Sequence, residues 1–214
     1  MSNAPTISQT QEDYSLKSYW SLFSVQLQGA FSDNLFKFLV VFTSINVAGI
    51  EDSQRDFRLF LIAAVFSLPF ILFSMTSGCL ADRFSKAKVI TWTKRAEIMI
   101  MCIGLLALKT LNFYVMLGVI FLMSVQSAVF GPAKYSSLPE ILPNHKLSWG
   151  NGIFSLGTFF GIIAGGTAAG FLSNSLGQER VWICGFILIV LAITGALISR
   201  LMERKPAANP SKKI

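Results

Sequence analysis

Gln26, Ala30, Asp33 and Lys37 follow one another at spacings of four, three and four residues. That spacing places side chains along one face of an α-helix. Asn34 flanks the stripe, and the residues around it are Phe31, Leu35, Phe36 and Phe38. A carboxylate, an amine and two amides on one apolar helix can hold a polar or charged solute, carry a proton, or close an internal Asp33–Lys37 ion pair that only fixes packing. Left facing hydrocarbon, each of the two charges would cost roughly 2.5–3.5 kcal/mol. They are therefore expected to face protein or a water-filled cavity.

A second amine stands in Phe130-Gly131-Pro132-Ala133-Lys134-Tyr135. Pro132 cannot continue the backbone ladder, so the helix is expected to kink or end there. Lys134 then reads either as a cation snorkelling at a helix end or as one facing a cavity, suited to an anionic headgroup. Gly157, Gly161 and Gly165, followed by Gly166 and Gly170, form a smooth ridge that lets helices approach closely. His145, the single histidine, is expected to be a solvated link residue, and Cys79, Cys102 and Cys184 to be small core residues. No nucleophile–base set, metal-ligand cluster or phosphate loop is found, so no enzyme, catalytic residue, metal or cofactor is expected.

The elements that must carry these residues are membrane helices. Of 214 residues, 53% are hydrophobic and only 14% charged, with 19 Phe, whereas a soluble domain is about a quarter charged. The formal net charge of +7 is confined to breaks between apolar runs, which argues for orientation in a membrane and against nucleic acid. Runs of about 20 apolar residues suit a bilayer core and predict an all-α membrane protein with six transmembrane helices, near 19–48, 59–81, 89–108, 111–133, 148–176 and 181–199. Residues 1–18 and 200–214 are expected to be cytoplasmic tails, the second a basic tail or connector. Gly49, Asp52 and Ser53 are expected to stop the first helix. Leu138-Pro139-Glu140-Ile141-Leu142-Pro143 reads as an interfacial link. The charge-free run 147–178 exceeds one span, so part of it is expected to be loop or interface.

Orientation follows from the cations. Lys17, Arg83, Lys86, Lys88, Lys94, Arg95, Lys134, Lys146, Arg200, Arg204, Lys205, Lys212 and Lys213 fall on one side, with Arg55, Arg58, Lys109 and Arg180 on the other. Positive residues collect on the cytoplasmic side, which places both termini there. Trp20, Trp92, Trp149 and Trp182 fall near helix ends, at headgroup depth. No cleavable leader is expected, because the first tail is acidic and the first apolar run is long.

The turn Gly78-Cys79-Leu80-Ala81-Asp82-Arg83-Phe84-Ser85-Lys86-Ala87-Lys88 resembles the signature loop of the major facilitator superfamily, with Ser85 where that family usually has glycine. Gly78 is expected to allow close helix approach. The resemblance implies one half of a major facilitator fold, a 3+3 inverted repeat. It also implies gating roles for Gly78, Asp82, Arg83, Lys86 and Lys88, and a fifth helix bordering the other half. Asp33-Asn34, the segment ending Lys134-Tyr135, the following Leu-Pro-Glu-Ile-Leu and Asn151-Gly152 together resemble the bacterial lysophospholipid transporter branch, including the transporter domain fused to acyltransferase and acyl-ligase domains. By that resemblance Asp33, Asn34 and Lys134 contact a headgroup. The expected function is a secondary transporter, or its amino-terminal half, in a bacterial inner membrane. It would move an amphipathic substrate, a lysophospholipid in the first place, by alternating access. A small-solute or drug exporter and a non-transporting anchor or partner of a lipid-modifying acyltransferase are the alternatives. Membrane lipids, a second six-helix half or another membrane subunit, and a lysophospholipid are the expected partners.

Overall fold

The computed structural model describes residues 15–46, 49–203 and 206. Six α-helices follow in order: α1 (Leu16–Ile45), α2 (Asp52–Arg83), α3 (Lys86–Thr110), α4 (Phe113–Ile141), α5 (Leu147–Arg180) and α6 (Ile183–Ser199), with a 3₁₀ turn at Asn144–Lys146 before α5. No strand occurs among the described residues. The expected tails 1–18 and 200–214 fall mostly outside the described residues.

Local chemistry sets the ends. Ser15 Oγ accepts from Ser18 N at the start of α1. Asn112 Oδ1 accepts from Tyr114 N and Val115 N at the start of α4, satisfying amides that a helix leaves orphaned. Gly49 turns the chain at a φ of 75°. The stop of α1 comes earlier than expected, at Asn46, while Asp52 and Ser53 belong to the first turn of α2.

Two apolar helices run further than their sequences suggested. α4 passes through both Pro132 and Pro139 to Ile141, so it does not end at Pro132, and the expected interfacial link is helix as far as Ile141. Phe130, Ala133, Leu138 and Ile141 are all buried in one apolar cluster, and that packing holds the turns where proline removes ladder bonds. α5 is helical through the whole charge-free run and breaks only at Gly177, whose φ of 65° and ψ of 179° leave the helical region. At 1.5 Å per residue it is about 50 Å long, enough to cross a bilayer core and project beyond it.

α1 packs on α5, α2 on α4, α3 on both α4 and α6, and α1 on α6. Exchanging the first three helices for the last three maps this set of neighbours onto itself, as a repeat of two three-helix units requires. Two apolar clusters form, one containing Leu35, Leu39, Met101, Ile120 and Leu188, the other Tyr19, Leu22, Ile90, Phe130 and Phe154. Along α1 they are separated by the segment from Gln26 to Asn34, so the polar residues form a layer between two greasy ends.

Three helices, α2, α4 and the run Asn144–Arg180, are long and apolar enough to cross a membrane by length and composition. α6 is apolar but has 17 residues. α1 and α3 carry charges at mid-length.

The glycine ridge of α5 lies against α1. A Cβ on Gly161 would meet Leu27 O at 2.9 Å, and one on Gly165 would meet Phe31 O at 2.5 Å. On Gly157 it would meet Phe23, on Gly166 Phe38 and on Gly170 Phe42. Gly78 differs, since a Cβ there has nothing within 4 Å; the expected close approach at that glycine is not made among the described residues. Cys184 is buried, but Cys102 is exposed on the outer face of α3 and is no core residue. His145 is exposed in the 3₁₀ turn.

Candidate functional site

A cavity of about 470 Å³ opens between the helices in the polar layer. α1 contributes Gln26, Ala30, Asp33 and Asn34, and α3 contributes Lys94 and Glu97. From α4 come Gln126, Ser127, Phe130, Lys134 and Tyr135. α2 adds Phe66 and Phe70, and α5 adds Thr158 and Ile162. The lining thus combines four ionisable groups with aromatic and apolar walls.

Asp33 does not pair with Lys37. Its Oδ2 accepts from Ser127 Oγ at 2.6 Å, across from α4. Lys37 Nζ instead donates to Asn34 Oδ1 at 2.9 Å and sits 4.5 Å from the centroid of the Phe66 ring. Lys37 is therefore set back from the cavity, although the helical stripe placed it beside Asp33. One further turn carries it past the polar layer and under an aromatic roof, where cation–π attraction offsets part of its desolvation. Asn34 is buried and ties its amide to Ala30 O at 2.8 Å.

Lys134 faces the cavity. Its Nζ donates to Gln26 Oε1 at 2.8 Å and lies 5.3 Å from the Phe130 ring and 5.0 Å from the Tyr135 ring. Gln26 spends its other end on Thr158 Oγ1, at 2.8 Å. Since Gln26 is buried and both ends of its amide are engaged, it fixes the amine from α1 and α5 together. Tyr135 remains half exposed at the cavity edge.

The described structure places no ion pair on either Asp33 or Lys134. Opposite charges thus line one cavity, each held only by neutral donors or acceptors. In a membrane interior such groups carry a desolvation cost that a ligand of matching charge relieves.

Sequence reasoning missed one feature of this site. The cation asymmetry sets Lys94 with the cytoplasmic-side charges, but it lies inside α3 with its side chain 1% exposed, 2.6 Å from Glu97 Oε2. Arg95 is exposed on the other side of the same helix. The spacing of Lys94 and Glu97, three apart in an otherwise apolar run, was the available signal.

At the other end of α3, only Phe84 and Ser85 separate it from α2. Lys86 forms an ion pair with Glu140 at the end of α4. Arg83 and Lys88 are exposed, and the Arg83 guanidinium lies 5.8 Å from the Phe84 ring centroid.

The described residues thus form an all-helical bundle around a polar cavity. Residues 18–213 match the Major Facilitator Superfamily, and the chain belongs to that family. Among curated relatives it is 27% identical over 198 residues to Lysophospholipid transporter LplT of Serratia proteamaculans, covering 91% of this chain and 45% of the relative. It is 26% identical over 202 residues to Lysophospholipid transporter LplT of Klebsiella pneumoniae, covering 92% and 46%. The chain thus spans less than half the length of these relatives. The fold is shared with a crystal structure of the peptide transporter POT, with a TM-score of 0.67 and 15% identity over 86% of this chain and 37% of that one.

Proposed function

We propose that this chain is one six-helix half of a secondary transporter that moves lysophospholipid by alternating access in a bacterial inner membrane. The observation that carries this reading is the presence of Asp33 and Lys134, opposite in charge and neither in a direct ion pair, in one aromatic-walled cavity. A phospholipid headgroup brings a phosphate and, in the ethanolamine class, an ammonium, while its single acyl chain needs apolar walls such as Phe66, Phe70 and Ile162. The likeness to relatives named lysophospholipid transporters supports the same reading.

In this reading all six helices cross the membrane, and both termini are cytoplasmic. The cation asymmetry supports that orientation even after Lys94 is withdrawn from it as an internal residue. A second six-helix half packs against a cavity whose headgroup contacts this chain already supplies, and contacts Asp82 and Arg83 at the cytoplasmic turn, where Lys86 already ties α3 to α4. Gly78, whose outer side is open within this chain, faces that second half, and Lys88 adds charge to the same gate.

The test is binding of labelled lysophosphatidylethanolamine to the chain in nanodiscs. Asp33→Asn is expected to weaken binding about tenfold, the loss of one charged hydrogen-bond partner, while leaving the helical circular dichroism unchanged. A wild-type chain that holds this lipid no better than a neutral glucoside detergent of equal chain length would overturn the reading.

A further inference from the structure

Four charges line the cavity, but they are not equivalent. Asp33 and Lys134 have neutral partners only, whereas Lys94 and Glu97 neutralise each other. Lys94 Nζ donates to Glu97 Oε2 at 2.6 Å and to Gln28 Oε1 at 2.7 Å. Gln28 Nε2 closes the ring by donating to Glu97 Oε1 at 2.9 Å. It also donates to Ser32 Oγ at 2.9 Å. The Lys94 and Glu97 side chains are 1% and 2% exposed, so the ion pair is dry, while Gln28 is half-buried.

Two glycines make room for it. A Cβ on Gly29 would stand 3.0 Å from Lys94 Nζ, and one on Gly195 would stand 2.1 Å from Gln28 Oε1. The ring therefore joins α1 to α3 through side chains, and Gly195 on α6 leaves the space that Gln28 fills.

A buried ion pair is weak as a source of stability, because desolvation offsets much of its Coulomb gain. Here the pair also lies on the wall of the cavity, and Lys94 Nζ is 5.7 Å from the Phe130 ring that lines the same space.

We infer that Glu97 is a specificity-determining residue: it masks Lys94, so that the cavity presents a single free cation, Lys134, opposite a single free carboxylate, Asp33. The masked wall favours a headgroup with balanced charge over one with a net negative charge. Glu97 itself touches no ligand; it acts through Lys94. This inference rests on the lysophospholipid reading above.

The experiment compares the Kd of lysophosphatidylethanolamine with that of lysophosphatidylglycerol of the same acyl chain, for the full chain in nanodiscs. Glu97→Gln keeps a hydrogen-bonding amide but unmasks the Lys94 charge. It is expected to shift the ratio of the two Kd values about tenfold toward the glycerol headgroup, the effect of one charge in a partly dry site. The double variant Lys94→Gln with Glu97→Gln removes both charges and is expected to return the ratio to that of the wild type. A Glu97→Gln chain that changes both affinities in parallel, or a double variant that keeps the shift, overturns the inference. Should Glu97→Gln fail to fold, Lys94→Gln is read in its place, with the shift expected in the opposite direction and an unchanged ratio counting against the inference. If both single variants unfold while the double folds, the pair is a packing element only and the inference falls. A wild-type chain that binds neither lipid overturns the lysophospholipid reading itself, whereas one that binds both with a ratio indifferent to these changes overturns this inference alone.

Discussion

α2 and α5 occupy equivalent places in the two three-helix units, yet they meet their neighbours in different ways. α5 presents Gly150, Phe154, Gly157, Gly161, Gly165 and Ala169 as its buried stripe, and its backbone rests on the backbone of α1. α2 buries only Ile62, Pro69, Ser77 and Ala81, and packs on α4. Its glycine, Gly78, has open space beside it, as do Gly118 and Gly131 on α4. We call the first seam rigid, because a methyl group added to it would strike backbone, and the second adjustable, because its glycines have room beside them. The cavity takes Phe66 and Phe70 from the adjustable helix and Thr158 and Ile162 from the rigid one.

The strongest way to break this contrast is to add one methyl group to the rigid seam. Gly165→Ala would drive a carbon against Phe31 O and Leu35 N, and we expect a loss of about 2–3 kcal/mol, the range for overpacking that backbone cannot relax. Thermal unfolding in detergent, followed by circular dichroism, measures it. A destabilisation under about 0.5 kcal/mol would mean the seam is no tighter than that of α2. A smaller effect is expected for Phe66→Leu on α2, about 1 kcal/mol, because a similar apolar volume is kept while the ring over Lys37 is lost. The same unfolding assay applies, and a cost above that of Gly165→Ala would reverse the assignment of rigid and adjustable seams. The smallest effect is expected at Gly78→Ala, which meets nothing within this chain and gains about 0.5–1 kcal/mol of helix propensity. A clear loss of stability in the isolated chain would show that Gly78 is packed after all.

Some of this was legible in the residues alone. Apolar runs and their breaks gave six helices, and the glycine spacing marked a close helix contact without saying which helix would fill it. The stripe from Gln26 to Asp33 pointed at a cavity because charge cannot rest in hydrocarbon. The same stripe misled at Lys37: side chains on one face of a helix still lie at different depths, and a ring from α2 covers this one. Proline misled at Pro139, where the expected link is helix to Ile141, because the rule against mid-helix proline describes an isolated ladder and packed neighbours surround these turns.

The order of polar and apolar residues by itself decided that this chain is a bundle of membrane helices with charges that must be sheltered, since the cost of charge in lipid is a property of the residue and its depth. Which partner each charge takes from another helix was decided only by the tertiary structure. Asp33 with Ser127, Lys134 with Gln26, and Lys94 with Gln28 are joined across helices. A hydrogen bond between residues nearly a hundred positions apart depends on how the helices rotate and cross, and that is set by the shape of every contact between them.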